Sequence, residues 1–184
     1  YMDYIDKNFG LNVARGGYGD WLSYEETSKS YISFCFNYNN AVLMQKFSDI
    51  LGKADKEKYY ADLSKKILNV FYEKYVVDDE ILEKSQTAYI LPLAFDMLDG
   101  KVRENAIKNL EKKIIDNNYT LSTGFIGTGL LNQTLAKVGL NNLAYSLLLQ
   151  DADPSWLYSV KQGATTIWER WNSYTKKDGF GAVK

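Results

Sequence analysis

The sequence predicts an all-α fold built of antiparallel helical hairpins stacked in two layers. Three observations carry this reading. Only two prolines occur in 184 residues, against an ordinary share of about 5%. Glycines are spaced so that six long stretches contain none, and glycine and proline are the punctuation of a chain. Charged residues are also apportioned unevenly, crowding some of these stretches and nearly missing from others.

The six glycine-free stretches, 31–51, 55–75, 86–98, 101–118, 130–138 and 141–150, are read as helices in that order. The first, 31–51, carries only two charges, Lys46 and Asp49, and reads as buried. In 55–75, Tyr60, Leu63, Ile67, Val70 and Phe71 recur at helical spacing among nine charged residues, the mark of an amphipathic surface helix. Segment 86–98 has a single charge, Asp96, and its Pro92 predicts a kink or a later helix start. In 101–118, Val102, Ala106, Leu110 and Ile114 form one apolar stripe among eight charges. From 130 to 150 only Lys137 is charged, so both helices there read as buried. Gly52 and Gly139 are expected at helix C-termini and Asn141 as an N-cap. Buried helices alternating with surface helices imply two concentric layers, since a simple bundle would make every helix amphipathic.

Connections alternate as well. Those at 51–54, 99–100 and 138–140 are tight, whereas 76–85, 119–129 and 151 onward are long. Consecutive helices run antiparallel, so the long connections share one end, where loops on a rigid scaffold gather function. The start reads as the tail of a helix, and no closing element precedes Lys184. The chain is therefore expected to be a piece of a larger domain, with apolar surface left bare where further hairpins would pack.

Composition excludes several chemistries. There is no histidine, hence no Ser-His-Asp or Cys-His catalysis and no histidine metal site. Cys35, the single cysteine, has no intrachain partner. A net charge of -1 with no basic block speaks against nucleic acid, and no apolar run approaches the ~20 residues of a membrane span. No cofactor or metal is expected. The lack of disulfides favours, without requiring, a cytoplasmic setting.

Aromatic residues make up 15% of the chain, and all four tryptophans lie either on the loop before the first helix or on the long connection from 151 onward. The first reads Gly17-Tyr18-Gly19-Asp20-Trp21-Leu22. A later one reads Leu121-Ser122-Thr123-Gly124-Phe125-Ile126-Gly127-Thr128. The last carries Asp153-Pro154-Ser155-Trp156, then Ile167-Trp168-Glu169-Arg170-Trp171. Indole platforms beside carboxylates suit carbohydrate, whose apolar ring face stacks while carboxylates bind hydroxyls and move protons. Each group also has a plainer reading. Trp21 and Trp156 could cap the core, Asp20 could cap a helix, and Glu169 could pair with Arg170. The 122–129 stretch lacks the closing Lys-Ser/Thr of a phosphate loop.

In order and spacing, YGDWL, SQTAYILPLAF, LSTGFIGT, DPSWLY and GATTIWERW resemble the catalytic domain of bacterial α-L-rhamnosidases, glycoside hydrolase family 78. The resemblance spans about Gly17 to Gly181 and implies part of an (α/α)6 six-hairpin toroid. It implies an inverting hydrolase of terminal α-L-rhamnosyl groups, with rhamnose-containing glycosides as partners. In such a mechanism one carboxylic acid protonates the leaving oxygen and a carboxylate about 6.5–9.5 Å away activates water. Glu169 matches the family's general base and Trp21 an aromatic lining the sugar pocket. Trp168 and Trp171, flanking the base, are expected to restrict its water; Asp20 and Trp156 are further pocket residues.

The family's general acid lies upstream of anything matched here, and its Asn-His-Tyr segment would follow Lys184. Asn172 stands where members often carry Asp. The implied piece is thus the C-terminal half of the catalytic domain, 1–184, with its base and without its acid. Its remaining half is an expected partner, as is a second copy of the chain through self-association. Two other readings stay open: a six-hairpin glycosidase for another sugar, and a non-catalytic helical scaffold or sugar-binding module.

Overall fold

The computed structural model describes residues 17–181 together with Tyr4 and Lys7. The helix tail expected at the start lies outside the described residues, apart from those two positions. Seven helices are seen among the described residues: α1 (Lys29–Ile50), α2 (Ala54–Tyr75), α3 (Gln86–Ala94), α4 (Gly100–Asp116), α5 (Phe125–Lys137), α6 (Asn141–Leu149) and the short α7 (Trp156–Lys161). Two small antiparallel pairs join them, β1 (Val76–Val77) with β2 (Glu80–Ile81) and β3 (Tyr174–Thr175) with β4 (Gly179–Phe180).

The hairpins α1–α2, α3–α4 and α5–α6 each pack on themselves, and α3 also packs on α1 and α5. Helices α1, α3 and α5 therefore form one row and their partners a second row behind it. Charge explains the division. Helix α2 buries one stripe, Tyr60, Leu63, Ser64, Ile67 and Phe71, and α4 another, Val102, Ala106, Leu110 and Ile114. Helix α3 buries every residue from Gln86 to Leu93.

Pro92 sits inside α3, which starts at Gln86, so the helix does not begin later as one of the two expectations had it. Proline has no N–H to give the carbonyl four residues back, at Ala88. The buried hydroxyl of Tyr31 on α1 donates to that carbonyl instead, at 2.7 Å. A defect in one inner helix thus becomes a bond to its neighbour.

Several expected boundaries move, each for a local reason. Helix α3 stops at Ala94, not 98, because Asp96 turns left-handed at φ 55°. Helix α4 stops at Asp116 as Asn118 and Tyr119 do the same. Helix α5 starts at Phe125, five residues before 130, with Gly127 and Gly129 inside it. Gly52 and Gly139 do close α1 and α5 with positive φ, but Asn141 is the first residue of α6 and Leu140 occupies the cap. The β1–β2 turn was not foreseen; Asp78 and Asp79 both take positive φ, as a two-residue hairpin turn demands.

The two-layer reading also needs one correction. Scarcity of charge does not make α6, or the C-terminal half of α1 with its Lys46 and Asp49, buried: Tyr145, Leu148 and Leu149, and Phe47 and Ile50, are exposed. A helix in an open wall is covered only where a neighbour stands, and α6 packs on α5 and α7.

Candidate active site

The long connections meet at one end, where α1, α3 and α5 begin. Ser28 and Ser85 cap α1 and α3 with their own hydroxyls, and Thr27 and Ser85 join the two caps at 2.5 Å. Helix α5 cannot be capped in this way. Its cap residue is Gly124, where a Cβ would lie 2.2 Å from the Trp21 carbonyl oxygen, so no side chain fits.

Asp20 supplies the cap from another segment. Its Oδ2 accepts from the Gly124 N–H at 2.8 Å and the Thr87 hydroxyl at 2.5 Å. Its Oδ1 accepts from the Ile126 and Gly127 N–H groups at 2.8 and 3.1 Å. The remaining first-turn donor, Phe125 N–H, reaches the Trp21 carbonyl at 3.0 Å. The orphan donors of the helix start are thus satisfied by two consecutive residues of the first connection, and a negative charge stands where the helix dipole favours it. Asp20 is 6% exposed, its oxygens turned into the helix start. Gly127 is glycine for a matching reason: a Cβ there would meet Thr87 Oγ1 at 2.3 Å.

This clamp presents Trp21, which is 42% exposed and stands edge-on to Tyr18 with ring centres 5.7 Å apart. One residue along, the Thr123 carbonyl accepts the Trp171 indole N–H at 2.9 Å. Trp171 in turn packs edge-on against Trp156, centres 5.8 Å apart. Trp156 opens α7, which Ser155 caps by accepting from the Tyr158 N–H at 3.1 Å. Trp156, Trp168 and Trp171 share a cleft of about 410 Å³ with Val160, Thr166 and Arg170.

Glu169 is not part of that cleft's wall. The chain bends at 169–172 and leaves Glu169 exposed, so the expectation that flanking indoles would restrict its water is not met among the described residues.

Sequence reading overlooked Thr87, Thr123 and Gly124, although all three lie in motifs it quoted; the glycines at 124 and 127 were the signal of close approach. Tyr24 was missed entirely. Its hydroxyl donates to the Asp153 carboxylate at 3.1 and 3.2 Å. Burial, then the charge of Asp153, pushes the Tyr24 phenol well above its usual range, and burial raises Asp153 despite the bond from Tyr24. No cluster of three metal-ligating side chains is present among the described residues, and no described helix is long and apolar enough to cross a membrane.

Residues 1–181 match the family described as the bacterial alpha-L-rhamnosidase 6 hairpin glycosidase domain. An alpha-L-rhamnosidase of Formosa agariphila is 40% identical over 177 residues, covering 91% of this chain and 19% of the relative. The crystal structure of Streptomyces avermitilis alpha-L-rhamnosidase complexed with L-rhamnose superposes with a TM-score of 0.92 at 34% identity. It covers 98% of this chain and 18% of that one. The native Aspergillus terreus enzyme gives 0.85 at 26% identity, covering 98% and 24%. The chain thus spans about a fifth of the length of these relatives.

Proposed function

The chain belongs to the bacterial alpha-L-rhamnosidase six-hairpin glycosidase family, and from that premise we propose that its full-length parent removes terminal α-L-rhamnosyl groups from glycosides by inversion, with Glu169 as the general base. The observation that carries this is the setting of Glu169 within GATTIWERW. The stretch is tied by Trp171 to the Thr123 carbonyl, next to the start of α5 that Asp20 and Trp21 cap. Its carboxylate is exposed and thus open to the water it would activate. Asp20, another carboxylate at this rim, has both oxygens bonded to the helix start and is committed to capping it.

The roles divide accordingly. Trp21 offers an exposed ring for the apolar face of rhamnose, and Asp20 positions Trp21. Trp156, Trp168 and Trp171 wall the adjacent cleft. Glu169 deprotonates a water that attacks the anomeric carbon. The bond to the leaving oxygen breaks as that oxygen takes a proton from a carboxylic acid elsewhere in the parent's domain. Loss of one carboxyl removes proton transfer worth about 10²–10⁴ in rate.

The test is kcat of the parent with Glu169→Gln beside Arg170→Ala, and the anomer first released, read by proton NMR. We expect a loss on that scale for Glu169→Gln with rhamnose binding kept, near-normal turnover for Arg170→Ala, and β-L-rhamnose first. Normal turnover in Glu169→Gln would eliminate it as the base. An α-anomer would eliminate inversion. Failure of the parent to cleave any rhamnoside, with sugar binding intact, would favour the non-catalytic module.

A further inference from the structure

A second concavity is lined by Tyr24, Gln86, Ser122 and Asp153, apart from the tryptophan cleft. It encloses about 800 Å³, within the range of about 300–1,000 Å³ typical of small-ligand sites. The C-terminal end of α4 forms one side. The other is a seam of three segments, held by Tyr24 N–H to Ser122 O at 3.0 Å and Leu121 N–H to Pro154 O at 3.1 Å. The buried Gln86 amide braces the seam, donating to Thr120 O and accepting from Ser122 N–H. Neighbouring residues divide between the two hollows: Thr123 holds Trp171 while Ser122 lines this groove, and Trp156 faces the first while Asp153 lines the second.

The lining selects a ligand class. Three cations, Lys84, Lys112 and Lys113, face three anions, Glu25, Asp116 and Asp153. Lys113 pairs with Glu25 at 2.6 Å, Lys112 with Asp116, and Lys84 with Glu80 at 3.4 Å. With every lysine already paired, a phosphate or nucleic acid gains no open cation here. Asn118 adds an amide that both donates and accepts, and Asn109, whose Nδ2 already donates to Glu80 at 2.6 Å, adds a second N–H and its oxygen. Tyr24 is 46% exposed, and its hydroxyl is fixed on Asp153, so its ring is a preset platform. Paired charges, amides and one held aromatic ring match a ligand with many hydroxyls and an apolar ring face.

We infer that this groove is a second, non-catalytic site that holds a neutral oligosaccharide on the rim beside the hydrolytic cleft. The inference rests on the reading of the parent as an enzyme of rhamnose-containing glycans. It assigns the groove to a sugar chain beyond the residue being cleaved.

The test uses the full-length parent and a neutral tetrasaccharide ending in an S-linked, hydrolysis-resistant α-L-rhamnosyl group. Calorimetry is run with free L-rhamnose saturating the hydrolytic pocket. The tetrasaccharide should still bind. Asn109→Ala, and Asn118→Gly, which keeps the left-handed backbone of φ 52°, should each weaken that binding roughly fivefold to tenfold. Turnover of 4-nitrophenyl α-L-rhamnoside should be unchanged in both. Loss of all binding under saturating L-rhamnose, or wild-type affinity in both variants, would overturn the groove. If the parent does not cleave the nitrophenyl rhamnoside, the hydrolase reading falls, while the groove is still judged by the two variants' isotherms.

Discussion

Replacing Asp20 tests how the rim is held. In Asp20→Ala four hydrogen bonds are lost at once: from Thr87, Gly124, Ile126 and Gly127. Bonds to a charged acceptor are worth about 1.5–3 kcal/mol each, but water entering the vacated space recovers part, so a net loss of about 3–5 kcal/mol is expected. Asp20→Asn is more telling. Its oxygen can still serve one pair of donors, and the Thr87 hydroxyl can turn to accept from the new amide. The Gly124 N–H cannot, and would face a donor while the helix start loses its counter-charge. One orphaned donor at about 1–3 kcal/mol and a dipole term of about 0.3–1 kcal/mol predict roughly 2–3 kcal/mol. The assay is amide hydrogen exchange in the parent, read on a peptide covering 120–130, with thermal unfolding alongside. Protection at 124–127 should fall in Asn and fall further in Ala, with KM for a rhamnoside rising as Trp21 loses its anchor. Unchanged protection in Asp20→Ala would refute the clamp.

Three further outcomes follow from the same geometry. Trp21→Ala should weaken rhamnose binding by about 1–3 kcal/mol with little change in Tm, because its ring is partly exposed; a large Tm loss with intact affinity would make it a core residue. Gly124→Ala should destabilise the parent and loosen Trp21 together, since its Cβ would meet backbone that cannot yield; wild-type melting and KM would contradict this. Tyr31→Phe should cost about 1–3 kcal/mol by orphaning the Ala88 carbonyl. In a Pro92→Ala background, where a backbone N–H can return to that carbonyl, denaturant melts should show a smaller cost, and equal costs would break the proposed link.

Much of this was legible because hydrophobic pattern and charge report local burial. The stripes of α2 and α4 and the alternation of tight and long connections follow directly from residue spacing. Patterning failed where burial depends on neighbours that no local window contains. Helix α6 has no charge at all, yet it exposes Tyr145 and Leu149. Glycine counting failed at α5 for the same reason. Gly127 looked like a breaker, but it sits inside a helix because Thr87, forty residues earlier in the chain, needs the room its Cβ would take. At the rim, the motifs named the right stretches and left the division of labour among their residues hidden. Asp20 and Trp21 are adjacent in sequence yet divide in role, the carboxylate turned inward to fix a helix and the indole left partly exposed, where the proposed function needs a platform for a sugar. Glu169 stands exposed beside Trp171, whose ring packs on Trp156 and whose N–H bonds the Thr123 carbonyl. Such differences arise from which donors and rings fold back on each side chain, and that is decided between segments about a hundred residues apart, as in the bonds from Gly124 and Gly127 to Asp20.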